Sequence, residues 1–152
     1  MKRILLLALL NPGGAQLVMA DDAVPKVQYF TAPELAAQIA QPNDGLASSQ
    51  FLNSPGGHVY LIRRDKTGVT EVHMAANDII VVRSGHAKIT VGGQVGGNRE
   101  EQPTEWRGGE IKGGKDYSLS PGDVLFIPAG IPHRVLVAPK ESVTYLAVKT
   151  AK

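Results

Sequence analysis

The chain contains no cysteine. That excludes a disulfide framework, a thiolate metal site and a lipid-modified leader cysteine together. Long apolar runs are also missing. The run Ile4 to Leu10 is seven residues, far below the about 20 needed to cross a bilayer as a helix. Asn11-Pro12-Gly13-Gly14 would break such a helix, so no permanent membrane anchor is expected. Aromatics are scarce, with one Trp, four Tyr and three Phe. No Lys/Arg cluster carries interleaved aromatics, and nucleic acid is therefore not an expected partner. Internal repeats and low-complexity tracts are absent apart from local glycine richness.

Residues 1–20 instead read as an export leader. Met1-Lys2-Arg3 is a positive start, Ile4 to Leu10 the apolar stretch, and Val18-Met19-Ala20 a tolerated cleavage site. The alternative is an N-terminal strand or helix, which Asn11-Pro12-Gly13-Gly14 disfavours. The whole chain has a formal charge of +2, with 16 basic and 14 acidic side chains. Losing Lys2 and Arg3 with the leader leaves 14 against 14, a neutral chain. Residues 21–152 suffice for one domain with a real core. The expected location is periplasmic or secreted.

The most informative stretch is Gly122 to His133. Pro121-Gly122-Asp123 is a turn signal, Val124 to Ile127 a short β-type run, and Pro128-Ala129-Gly130 a second turn. Pro132 then opens a strand on which His133, Val135 and Val137 share one face. The spacing of Gly122, Pro128, Gly130 and His133 resembles the second signature motif of the cupin superfamily. That resemblance implies a small all-β barrel, the double-stranded β-helix or jelly roll, whose lining His usually ligates a metal. The Asn that often closes the motif is here Val137.

The rest of the chain accords with that fold class. Val27 to Phe30 could form an edge strand. Thr31, Pro33 and Glu34 then spell a helix start with a capping box, followed by a short helix to about Ile39 or Gln41, with Leu35 and Ile39 as its apolar face. From Val59 the pattern is of short strands: Val59–Arg64, Val69–Met74, a break near Ala76-Asn77, Ile79–Arg83, His86–Val91, and lastly Ile131–Ala138 and Ser142–Val148. The glycine-rich, charged excursion from Gly97 to Lys115 reads as an extended hairpin or lid, or alternatively a mobile surface loop. The domain reading is therefore a leader at 1–20, an N-terminal extension with a short helix at 21–50, and a barrel at 51–152.

The first cupin motif is matched in altered form. Glu71-Val72-His73 stands where the family has two His flanking one residue, Asp78 where it has Glu, and Gly85 where it has Gly. Alternation places Glu71 and His73 on one face of a strand. The resemblance then implies that Glu71, His73, Asp78 and His133 converge inside the barrel. Two imidazoles and two carboxylates suit one divalent ion, Fe, Mn, Zn, Ni or Co. Open coordination positions could serve oxygenase, isomerase or lyase chemistry on a small polar molecule. No catalytic residue is assigned. The alternative is a metal-free or non-catalytic small-molecule binder, with the same groups as an acid/base pair or polar cluster.

Weaker signals complete the inventory. Tyr60, Tyr145 and Arg63 are candidate substrate contacts, with core packing or solvated outward positions as their ordinary roles. His58 and His86 each follow glycine at a turn and read as surface residues. Lys88 shares a face with His86 and Thr90, opposite Ala87, Ile89 and Val91, and is expected outside. Exposed strands make a homodimer plausible without fixing it.

Overall fold

The computed structural model describes residues 27–39 and 41–152; the leader assigned to residues 1–20 lies outside them. Among the described residues eleven strands follow one short helix, α1 (Ala32–Ala37): β1 (Leu46–Ser54), β2 (Gly57–Arg64), β3 (Glu71–His73), β4 (Ala76–Gly85), β5 (Ala87–Val91), β6 (Gln94–Glu101), β7 (Glu105–Lys112), β8 (Lys115–Leu119), β9 (Val124–Ile127), β10 (His133–Leu136) and β11 (Val143–Ala151). They form two antiparallel sheets, ordered β1-β2-β11-β4-β9 and β6-β7-β3-β10-β5-β8. This is the double-stranded β-helix that the motif spacing implies. No described helix is long and apolar enough to cross a membrane.

The capping box forms as its residues require. The Thr31 hydroxyl accepts from the Glu34 amide at 3.3 Å while the Glu34 carboxylate accepts from the Thr31 amide at 2.7 Å. The helix stops at Ala37 with Gln38 as its C-cap, short of Ile39, and buries no residue fully. Val27 to Phe30 is not a strand. Val27 and Tyr29 are 95% and 82% exposed, and Phe30 packs edge-on to the Phe51 ring at 5.0 Å. Extended chain with no neighbouring ladder has no reason to pair. The barrel in turn starts earlier than residue 51, because β1 already pairs with β2 from Leu46 to Arg64. The break in the third strand region falls at Met74-Ala75, so that Ala76 and Asn77 belong to β4.

Strand alternation builds the core. Ile80 and Val82 of β4, Val143, Tyr145 and Ala147 of β11, Ile89 of β5 and Val135 of β10 all point inward and pack in one cluster. Each Val or Ile among them taken from water contributes about 1.5–3 kcal/mol. The same inward faces change character towards one end. β4 runs from Val82 through Ile80 to Asp78, β11 from Tyr145 through Ala147 to Lys149, and β10 from Val135 to His133, each residue inward and largely buried. The barrel therefore has a dry end and a polar end.

Candidate metal centre

Register sets the polar end. His133 on β10 sits directly opposite Glu71 on β3, so their side chains share the inner face. His73 lies two residues further along β3, on the same face. One ligand atom from each of Glu71, His73 and His133 lies within 4.8 Å of the other two. Asp78 reaches in from the facing sheet, its Oδ2 3.5 Å from His73 Nε2 and 3.4 Å from His133 Nε2.

The turn between β9 and β10 clips these elements together. Gly130, at φ 82, adopts a left-handed conformation that a side chain rarely tolerates. Its amide donates to the His73 carbonyl at 2.9 Å, and the Ala129 amide donates to Asn77 Oδ1 at 3.0 Å. The glycine of one motif thereby holds the strand carrying the other.

Both imidazoles present Nε2 to the cluster. His133 Nδ1 lies 3.2 Å from the Ile131 carbonyl, an acceptor only, so in the neutral ring this nitrogen carries the proton and leaves Nε2 bare. His73 Nδ1 faces Glu105 Oε1 at 3.6 Å, which favours the same tautomer. A carboxylate or carbonyl behind each ring is the arrangement that orients metal-ligating His. Burial pushes the His73 imidazole below its ordinary value, helped by the Lys149 ammonium and opposed by Asp78. It is thus held neutral, as ligation needs. Burial alone would raise the Glu71 carboxyl, but the Arg107 and Arg64 guanidiniums beside it hold the group low and ionised. Two neutral nitrogens and one carboxylate in mutual reach fit a divalent ion.

Asp78 stands differently. Its Oδ1 lies 2.5 Å from Lys149 Nζ, its cross-strand neighbour on β11. One of its oxygens is therefore committed to an ammonium, and the compact donor cluster is the triad without it.

The cluster opens onto a cavity of about 470 Å³ lined by Tyr60, Arg64, Glu105, Arg107 and Lys149, among others. Tyr60 lines this cavity. Arg63 does not line the cavity, because it is three residues from Tyr60 on one strand and falls on the other face; Arg64 takes the place assigned to it. Tyr145 is buried in the core, its hydroxyl accepting from Arg64 Nε at 3.1 Å. It therefore positions Arg64 and does not line the cavity. His58 also lines the cavity, in contrast to its surface reading, because Gly57 and His58 already belong to β2. His86 and Lys88 are exposed and lie away from the cluster.

Glu105 and Arg107 come from the excursion after Gly97, which is a hairpin of β6 and β7 paired onto β3. The register sets Arg107 opposite Glu71 and Glu105 opposite His73. Arg107 pairs with both acids, its Nη1 donating to Glu71 at 2.6 Å and its Nη2 lying 2.5 Å from Glu105 Oε1. The alternation of Glu105, Trp106 and Arg107 was a usable signal for a strand with two charges on one face.

Comparison with known proteins bears on this architecture. A search among curated proteins finds no match. Among solved structures, an uncharacterised protein with a double-stranded β-helix domain from Klebsiella pneumoniae matches at TM-score 0.61 and 16% identity, over 83% of this chain and 91% of that one. KdgF from Halomonas sp. matches at 0.54 and 16%, over 75% and 87%. The DMSP lyase DddQ from Ruegeria pomeroyi matches at 0.51 and 18%, over 72% of this chain and 48% of that one. At such identities the likeness is one of fold. A family model described as JmjC domain matches residues 34–151. With that match across most of its length and a double-stranded β-helix around a Glu/His/His cluster, the chain belongs to the JmjC domain family of the cupin superfamily.

Proposed function

We propose that this chain is an exported single-domain cupin that holds one divalent metal ion through Glu71, His73 and His133, with Asp78 beside them, and acts on a small polar molecule. The observation that carries the reading is the mutual approach of the three donors within 4.8 Å, with both Nε2 atoms free to face an ion. Two His and one carboxylate with open positions is a set suited to Fe(II), while Mn, Zn, Ni and Co share the same ligand preferences. Such an ion, when bound, supplies Lewis-acid or redox chemistry at its open positions.

The chain's own groups would then bind and orient the substrate. Tyr60 offers a hydroxyl at the cavity wall, while Arg107 and Lys149 offer charged donors. Glu105 would hold the His73 tautomer from behind. A lyase among the fold relatives supports an enzymatic role, and oxygenase or isomerase chemistry accords equally with this donor set. Export rests on the leader-like residues 1–20.

Elemental analysis of untagged protein beginning at Asp21, beside its Glu71→Ala/His133→Ala variant, tests the reading. Near-stoichiometric metal in the parent and none in the variant is expected. Equal metal content in the two would sink it.

A second reading, a metal-free small-molecule binder, draws on one specific feature. Both inner carboxylates already have cationic partners, Glu71 in Arg107 and Asp78 in Lys149. Ligand-induced thermal stabilisation without turnover or metal would favour it.

A further inference from the structure

The core and the cavity account for the inward face of the first sheet, and they leave its outward face without a partner. On β4 the inward Ile80 and Val82 turn Ile79 and Val81 outward. Register sets Phe126 and Val124 of β9 beside them on one side, and Val148 and Leu146 of β11 on the other. Two apolar rows thus run in step across three strands, Phe126-Ile79-Val148 and Val124-Val81-Leu146. The β4 and β11 members are half-buried, whereas at the β9 end the rows lie open, with Val124 65% and Phe126 56% exposed. A sheet face left to water ordinarily alternates to polar residues at such positions.

The opposite margin of the same sheet carries the complementary feature. Phe30 packs on Phe51 of β1, while Val27 and Tyr29 just before it turn to solvent, 95% and 82% exposed. These two side chains cannot reach Val124 and Phe126 of their own chain. β1 and β9 stand at opposite edges of the sheet, separated by four strand spacings or about 19 Å. The stretch from Phe30 back to Val27 extends at most about 11 Å.

We infer that the open rows are the interface between two copies of this chain, with a two-fold axis setting Val27 and Tyr29 of each copy on Val124 and Phe126 of the other. Such an isologous contact covers both features at once, and a single copy covers neither. Tyr29 and Phe126 can each bury about 150–250 Å². With Val27, Val124 and the rows behind them, each copy comes within reach of the roughly 800 Å² of a specific interface. The contact is through the face of β9 and not its edge, because the strand is four residues long and is followed by Pro128, features that discourage strand addition. None of these residues lines the metal cavity, so the inference stands apart from the metal reading.

The experiment is sedimentation velocity of protein from Asp21 between about 1 and 100 μM, beside Phe126→Ser and Tyr29→Ser. The parent is expected to be dimeric at the upper end, and each variant to dissociate about tenfold or more readily. Both positions are exposed, so the thermal transition at low concentration and the metal content should match the parent. An equimolar mixture of the two variants should associate more tightly than either alone, because each mixed pair regains one complete contact between Tyr29 and Phe126. A parent that stays monomeric at the highest concentration, as when the chain's own residues 21–26 cover the rows, overturns the inference. So does a dimer that either substitution leaves intact, or a mixture that gains nothing.

Discussion

The two ends of the barrel are built by the same strands under the same rule of alternation, yet they differ in what each inward side chain needs. At the dry end Val82, Val143, Ile89 and Val135 need only neighbours, and packing satisfies them. At the polar end every inward group needs a specific partner: Asp78 has Lys149, Glu71 has Arg107, and His133 has the Ile131 carbonyl. The dry end tolerates changes of identity that keep volume. The polar end is coupled, so one substitution leaves another buried group stranded. Stability resides mainly in the first and the coupling between charged groups in the second.

The largest effect that would sharpen this contrast is at the dry end. Ile89→Ala, at a fully buried position, should cost about 2–5 kcal/mol in urea unfolding, with the metal stoichiometry of the folded protein unchanged. A loss of metal in folded Ile89→Ala would break the division between the two ends.

A smaller loss is expected from Asp78→Asn in the metal-free protein. It strands the Lys149 ammonium beside two imidazoles and should cost about 1–3 kcal/mol. Asp78→Asn/Lys149→Met should regain most of that, because the charge left alone is removed too. Additive losses in the double variant would show that the pair is not coupled.

The smallest expected effect is on pH dependence. His73 is held below its ordinary value of 6.5, so on acidification the unfolded chain takes up this proton before the folded one does. The stability it contributes is complete above 6.5 and falls as pH drops towards the depressed value. Glu71 is held below its ordinary 4.5, and its contribution is present above 4.5 and lost as pH falls through the folded value. Urea midpoints of metal-free protein should therefore decline in acid. The part that sets in as pH falls below His73's ordinary 6.5 should be missing in His73→Gln, while Ile89→Ala should shift midpoints equally at every pH. A profile that His73→Gln leaves unchanged would place the acid sensitivity elsewhere.

Local chemistry was legible before the fold was known. The capping box at Thr31 and Glu34 and the turn-strand-turn of Gly122 to His133 are short-range patterns. The shared face of Glu71 and His73 follows from a period of two residues, which needs no neighbour to operate. The same rule, applied consistently, separates Tyr60 from Arg63 and points to Arg64. Val27 to Phe30 had strand residues and formed no strand, because a ladder needs a partner that composition cannot supply.

By itself, then, the sequence determined the fold class, the second-motif corner and which residues share a strand face, since all of these follow from turn chemistry and alternation within a few residues. Only the tertiary structure decided who stands opposite whom. Arg107 meets Glu71 across 36 residues of chain and Lys149 meets Asp78 across 71. Both pairings are set by antiparallel register between distant strands, and register is fixed by the packed core and the turns of the whole barrel.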